Sequence, residues 1–343
     1  DSRKNGELVY PLLNNFFKGD YYLEPNMQLQ MAQAMMTQLS APIFKQLTAQ
    51  LIGEKNCVII STAPEREGLT QPTEAQLLDI IAEAKDMQEL GIKELIVVAQ
   101  DTTKYGIDLY GELKLAELLK SLCKIDGIEW IRTLYCYPES ITDELIETMA
   151  SEDKICKYID IPLQHVDGRI LKAMNRTGDR ESLTALIDRL REKMPDIVLR
   201  TTFITGFPGE DEEAFNNLAE FVDDIQFDRL GCFAYSREEG TRSYDMPNQL
   251  DEETKQRRAE VIMEIQTAVS AALLKKKVGT VMDVIVDEYD PDNYLYLGRS
   301  YKDAPEIDGV VYFSSAEKHC IGDFVKVKIV KSSEYDLLGE ITE

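Results

Sequence analysis

The feature that most constrains this 343-residue chain is an alternation of strand and helix patterns from Cys57 to about Phe233. Six short runs rich in branched and aromatic residues mark it: Val58–Ser61, Glu94–Gln100, Trp130–Tyr137, Tyr158–His165, Val198–Phe207 and Arg229–Tyr235. Helical spacing fills the gaps. Leu77, Ile80, Ile81, Ala84 and Met87 follow a capping pair, Thr73 and Gln76, and Gly91 is placed to end that helix. Further helices are expected near 111–123, 141–150 (capped by Ser140 with Asp143), 168–175, 180–193 and 212–223. A continuous apolar run such as ELIVVAQ suits a strand buried in a parallel sheet. Strands alternating with helices imply right-handed βαβ crossovers. Six units are too few for a closed eight-fold barrel. An α/β fold follows, as a partial (βα)6 barrel or a doubly wound sheet.

The flanks read differently. Residues 1–52 form an unassigned segment with a helical Met- and Gln-rich pattern over Met27–Leu51, interrupted by Pro42. Residues 53–250 hold the repeating units, and 251–278 a long amphipathic linking helix, expected at about 252–277. Residues 279–343 then change to short alternating strands between Pro, Asp and Gly turns, the pattern of a small antiparallel β-barrel.

Charge narrows the partners. The net charge is −24, from 62 acidic and 38 basic residues, and residues 279–343 carry 14 Asp and Glu against 6 Lys and Arg. Such a surface repels polyanions, so RNA is disfavoured as a direct substrate and a basic protein favoured. Gln256-Arg257-Arg258 and Lys275-Lys276-Lys277 read as a solvated helix face. No apolar run spans a bilayer and no secretory layout opens the chain, so no membrane association and a cytoplasmic location are expected. The six cysteines are scattered singly, without CxxC spacing. The five after Cys57 read as small buried apolar residues.

Polar groups gather where the strands end, the place where such folds keep their chemistry. Gln100, Asp101, Thr102 and Thr103 follow the second strand and could meet the ammonium and carboxylate of an amino-acid-like ligand, or simply form a capped polar turn. Gln164 and His165 end the fourth, where a lone histidine is more often a hydrogen-bonded structural residue than a ligand. In TTFITGFPGE after the fifth, Gly206 and Gly209 bracket Pro208 and allow close backbone approach, Glu210 closes the run, and Arg200 at its start could pair with a carboxylate. YSREEG ends the sixth. His319 reads as a surface residue. Four polar strand ends on one face make a candidate site.

VAQDTTKYGIDLYG, CKYIDIPLQH, LKAMNR, LRTTFITGFPGE, DRLG and YSREEGT resemble the radical S-adenosylmethionine methylthiotransferases, above all the branch that modifies an aspartate of a small-subunit ribosomal protein. GRSYKDAPEIDGVV resembles the terminal TRAM barrel of that branch. The resemblance starts at about Pro72 and implies a partial (βα)6 barrel with S-adenosylmethionine in its mouth and a TRAM-like barrel that docks a basic ribosomal protein. It places Gln100 and Asp101 near the methionine end of the cofactor. Gln164 and Arg200 fall near ribose and carboxylate, and Gly206, Gly209 and Glu210 on the adenine side. The implied reaction is reductive cleavage of the cofactor, hydrogen abstraction from the aspartate β-carbon and insertion of a methylthio group. Members carry CxxxCxxC after the first strand, whose three thiolates hold a [4Fe-4S] cluster, and three more cysteines in an N-terminal domain. Here only Cys57 falls in the expected window, 51–60, and residues 1–56 contain no cysteine. Asp167-Gly168 also stands where the family usually has Ser-Asp. The chain as written is expected to lack the cluster and to act as an inactive relative that keeps the barrel and the docking module. With a complete triad it would be an ordinary methylthiotransferase.

Overall fold

Each of the six apolar runs becomes a strand, and their pairing decides the architecture. The computed structural model describes residues 57–62 and 74–342, with side chains from residue 80. The helix expected over Met27–Leu51, the cap formed by Thr73 and Gln76 and the side chain of Cys57 lie outside the described residues. The strands are β1 (Cys57–Thr62), β2 (Glu94–Ala99), β3 (Trp130–Thr133), β4 (Ile155–Gln164), β5 (Val198–Thr205) and β6 (Arg229–Ala234). They pair in chain order, 1-2-3-4-5-6, and every pairing is parallel. A doubly wound sheet would reverse its strand order at a switch point. The unbroken order is that of a barrel rolled without closing, which excludes the doubly wound alternative.

The crossovers are α1 (Glu74–Glu89), the short α2 (Ile107–Tyr110) and α3 (Leu115–Leu122), α4 (Asp143–Ser151), α5 (Gly168–Ala173) with α6 (Arg180–Lys193), and α7 (Glu212–Ile225). Their starts follow local chemistry. Asp179 and Ser182 form a reciprocal capping box on α6, and Asp211 accepts from Ala214 N at 2.9 Å on α7. The cap of α4 is Thr142, which accepts from Leu145 N at 3.1 Å, rather than Ser140. Ser140 lies in a 3-10 turn over Pro138–Ser140 instead. The third strand is shorter than its apolar run, because at Tyr135 the backbone turns to φ +55. The core between sheet and helices includes Leu95, Leu119, Ile131, Ile159 and Leu190, all but absent from the surface, and the rings of Phe203, Phe221 and Phe227, with Phe203 edge-on to the other two.

The long helix α8 (Glu252–Lys275) does not simply leave the barrel. It buries Ala259, Ile262 and Val269, and Gln266 Nε2 donates to Phe227 O at 2.9 Å. Lys255 and Arg258 are buried too, which corrects the reading of Gln256-Arg257-Arg258 as a wholly solvated face. The last five strands, β7 (Val281–Asp290), β8 (Leu295–Arg299), β9 (Val311–Ser314), β10 (Phe324–Ser332) and β11 (Leu337–Ile341), close into a barrel of order 10-11-9-8-7. Four pairings are antiparallel, while β9 and β11 pair in parallel. Val284, Val286, Phe313, Val327 and Ile329 fill its interior.

The connection following β8 ties this barrel to the sheet. Residues 299–308 meet side chains from each of β2 to β6. Glu94, fully buried, accepts from Arg132 Nε at 2.8 Å and from Arg299 Nη1 at 2.7 Å. Arg132 Nη1 donates to Tyr301 O at 2.8 Å, and its guanidinium lies over the Tyr158 ring. Arg229 pairs with Asp303, and Tyr158 Oη donates to Asp308 at 2.6 Å. The amino-terminal end of the sheet is thus plugged by charge pairs, and the carboxyl-terminal end is left as the mouth.

Candidate functional site at the mouth of the sheet

Positioning at the mouth begins with backbone hydrogen bonds. Thr102 is buried because it bridges two strand ends: Ala99 N donates to its Oγ1, which donates to Leu134 O, while Thr102 N donates to Tyr135 O. Asp101 accepts from Thr103 Oγ1 and pairs with exposed Lys104 at 3.1 Å. Gln100 is exposed beside it. The loop after β2 is thus an ordered 3-10 turn over Thr102–Lys104, and the Asp101 side chain makes no capping hydrogen bond to its backbone.

Gln164 ends β4 with φ +69, in the left-handed region that a residue with a Cβ seldom occupies. Such strain collects at functional sites. The next residue, His165, is fully buried. Its Nδ1 accepts from Asp167 N at 3.0 Å, so Nε2 carries the proton and faces Glu210 Oε2 at 3.2 Å. The histidine thus has the structural role weighed for it in the sequence. Asp167 caps α5 by accepting from Arg169 N and Ile170 N, a job for which Asp serves well.

Glu210 is the hinge of the loop after β5. Both its carboxylate oxygens are engaged: Oε1 with Arg258 Nη1 at 2.7 Å, Oε2 with His165 and with Gly206 N at 2.9 Å. It holds the loop and presents no free oxygen to a ligand. Gly206 has φ +74, and a Cβ there would run into the Lys255 side chain. Gly209 has φ +90 with open space about its Cα, so glycine is demanded there by conformation alone.

Arg200 does not stand at the mouth with these residues. It is third in β5 and pairs with Asp160 at 2.8 Å and with Asp308 at 3.5 Å. Asp160 in turn accepts from Tyr135 N, which links the plug to the strand ends. Burial pushes the Asp308 carboxyl above its usual value, against the opposing donors Tyr158 and Ala304 N and the cations Arg229 and Arg200.

A cavity of about 360 Å³ opens at the ends of β4, β5 and β6. Gln164, Ile204, Phe207 and Tyr235 line it from the sheet, Met174 and Arg176 from the turn after α5, and Arg242 and Met246 from the turn after β6. Sequence periodicity does not reveal this wall, because Arg176 and Arg242 lie in turns with no apolar repeat. The LKAMNR run was the one sign.

Soft metal ligands are sparse. A [4Fe-4S] cluster needs thiolates close together. Among the described residues no group of three or more His, Cys, Asp or Glu is placed to hold a metal ion. Burial pushes the thiols of Cys136 and Cys232 up to about 12, and those of Cys123 and Cys156 to about 11, so they are neutral at pH 7. Of the five cysteines expected to be buried, Cys136 and Cys156 are, Cys123 and Cys232 are partly exposed and Cys320 is exposed; His319 is half-buried, with Nε2 2.8 Å from Ser315 Oγ, rather than at the surface. Cys57 opens β1 with no second cysteine before Cys123. The residues present do not fit a three-thiolate cluster. No helix among the described residues is long and apolar enough to cross a membrane.

Comparison with known proteins places these elements. Residues 58–222 match the radical SAM superfamily model and residues 278–342 the TRAM domain model. The chain is 51% identical over 263 residues to the ribosomal protein uS12 methylthiotransferase RimO of Clostridioides difficile, covering 77% of this chain and 59% of that protein. Against the protein of the same name from Alkaliphilus oremlandii it is 48% identical over 264 residues, 77% of this chain and 60% of that protein. The chain thus spans about 60% of the length of the curated relatives it matches. Among solved structures, the radical SAM enzyme coproporphyrinogen III oxidase (HemN) from Escherichia coli aligns with a TM-score of 0.48 at 15% identity, over 86% of this chain and 71% of that one.

Proposed function

We propose, for a chain that belongs to the radical SAM superfamily over residues 58–222 and to the TRAM domain family over residues 278–342, that it is the barrel-and-TRAM portion of a methylthiotransferase acting on an aspartate of ribosomal protein uS12. The observation that carries this reading is the cavity at the ends of β4 to β6, lined by Gln164 and Phe207, in a chain about half identical over 263 residues to named uS12 methylthiotransferases. S-adenosylmethionine would supply the methyl and radical chemistry when bound.

The chain's own residues would bind and orient it. Gln100 and Asp101 would meet the methionine end, with Asp101 receiving the ammonium. Gln164 would reach the ribose, its left-handed backbone turning the amide toward the cavity. Gly206 and Gly209 would let the loop backbone approach adenine. Glu210 would act through the loop, since Arg258, His165 and Gly206 N occupy its carboxylate. Arg200 would act through Asp160 and the strand ends. The acidic TRAM barrel would hold the basic substrate protein by charge complementarity.

The iron–sulfur cluster is a different matter, because Cys57 stands alone in its window. This favours a second reading, in which the chain binds the cofactor and uS12 without cleaving the cofactor. Anaerobic reconstitution followed by iron and sulfide analysis separates the two. Iron well below four per chain, with retained cofactor binding by calorimetry, is the outcome expected of this chain. Four irons and four sulfides held stably would overturn the cluster-less reading. No cofactor binding at all would sink the assignment of the mouth.

A further inference from the structure

The cavity at the mouth carries more positive charge than S-adenosylmethionine requires. Among the described residues, Arg176 and Arg242 line it and no Asp or Glu does. That is an unusual lining in a protein of net charge −24. Adenosine is uncharged, and the cofactor's single carboxylate, which the resemblance places near Gln164 and Arg200, needs one cation at most. At least one of the two arginines is therefore left over for a second ligand.

Arg176 is the better built of the two. Its guanidinium lies 3.9 Å from the centre of the Tyr137 ring, and its Nη2 donates to Tyr137 Oη at 2.9 Å. The backbone aims it. Asn175 adopts φ +59, which Asn tolerates better than most residues, and Arg176 N donates to Leu171 O to end α5. One edge of the fork is thus pinned. The other is not: Nη1 is buried and has no hydrogen-bond partner among the described residues. Tyr235, 8% exposed on the facing wall, has a hydroxyl in the same condition. Buried donors without partners are costly, and a cavity lined by two of them is arranged for an acceptor that arrives with a ligand. A planar guanidinium with one pinned edge suits a carboxylate.

We infer that Arg176, braced by Tyr137, is the residue that recognises the side-chain carboxylate of the acidic residue delivered to the mouth, with Tyr235 Oη as a second donor. This rests on the reading of the mouth as the uS12 site and adds the residue that selects aspartate over asparagine. Arg176 is a positioning and specificity residue: it fixes the carboxylate and so fixes which face of the adjacent carbon meets the cofactor. Arg242, exposed and without an ion pair among the described residues, supplies a second positive charge at the rim.

The test uses the chain as it is and needs no turnover. The Arg176 side-chain NMR signal, identified by its loss in Arg176→Lys, is followed during titration with N-acetyl-L-aspartate α-amide or with N-acetyl-L-asparagine amide. The aspartate compound is expected to shift it saturably and the asparagine compound not to. In parallel, uS12 and a uS12 with asparagine at the target position are titrated onto the wild-type chain and Arg176→Gln. Arg176→Gln should weaken binding of the aspartate form about tenfold, the scale of one charge-assisted hydrogen bond, and leave the asparagine form unchanged. An unmoved Arg176 signal with the aspartate compound, or an equal loss for both forms of uS12, overturns the inference. A saturable shift together with no uS12 binding by the wild-type chain overturns the uS12 reading and leaves the carboxylate site standing. Thermal melts of both variants guard against a folding defect.

Discussion

Glu94→Gln removes the carboxylate that joins two buried arginines, of which Arg299 also pairs with Asp287 at 2.7 Å. Arg132 is fully buried and Arg299 is 4% exposed, and both donate to this carboxylate, at 2.8 and 2.7 Å. Burial alone would raise the Glu94 carboxyl, but Arg132 and Arg299 outweigh it and hold it below its ordinary 4.5. A glutamine keeps the shape and loses the charge, and it turns an N–H donor toward one of the guanidinium groups. Breaking a buried pair from one side costs about 3–5 kcal/mol, a large share of the roughly 5–15 kcal/mol that stabilises a typical domain. For a protein of this size that corresponds to a fall in Tm on the order of 10 °C. The assay has a built-in reporter. The chain's single tryptophan, Trp130, packs edge-on against Phe324 of the terminal barrel, with ring centres 4.8 Å apart. Urea unfolding followed by both circular dichroism and tryptophan emission should show the loss of stability and a change of emission at the seam. The effect should depend on pH. A carboxyl whose folded pKa is depressed stabilises fully above 4.5 and loses that contribution as pH falls through its folded value. The gap between wild type and Glu94→Gln should therefore narrow in acid. Replacing the whole network by neutral residues, Glu94→Leu with Arg132→Met, Arg299→Met and Asp287→Asn, the last because Asp287 also pairs with Arg299, should recover most of the loss. A loss below about 1 kcal/mol at pH 7, with unchanged Trp130 emission, would refute the idea that this network seats the terminal barrel.

Three further outcomes are expected. Gly206→Ala should destabilise the chain by about 1–3 kcal/mol from the left-handed backbone alone, with more from the Lys255 side chain, and should abolish cofactor binding in calorimetry; unchanged affinity would contradict the loop's assigned role. Glu210→Gln frees Arg258 and His165 from a buried carboxylate and should cost about 3–5 kcal/mol in urea unfolding, whereas a neutral effect would show that the loop is held by its backbone. Tyr158→Phe removes a donor from Asp308, whose folded pKa already lies above its ordinary 3.8. A raised carboxyl costs stability above that ordinary value and nothing below it, so the loss should grow between pH 4 and pH 7, and a loss independent of pH would contradict the assignment.

Local pattern carried far in this protein. The strands are legible because each is a short apolar run, and the helices because periodicity and capping act within a few residues, as with Asp179 and Ser182. The loops at the mouth are legible for the same reason: Gly206 and Gly209 announce their backbone in the sequence itself. Where the sequence misled, the contact was distant. Arg258 looks like one more solvated helix cation until Glu210, 48 positions away, is found beneath it. Arg200 looks free to meet a ligand until Asp160 and Asp308 are placed against it.

The amino-acid sequence by itself determined the six strand–helix units, the change to a second barrel near residue 279, and the isolation of Cys57. Each depends on spacing along the chain. Only the tertiary structure decided the unbroken strand order, the charge-paired plug and the arginine-lined cavity. Glu94 and Arg299 are 205 positions apart and 2.7 Å from each other, and Tyr137 and Arg176 are 39 positions apart and stacked. Pairs of that kind leave no periodic trace in a sequence, because what selects them is the low-dielectric space that the folded chain encloses.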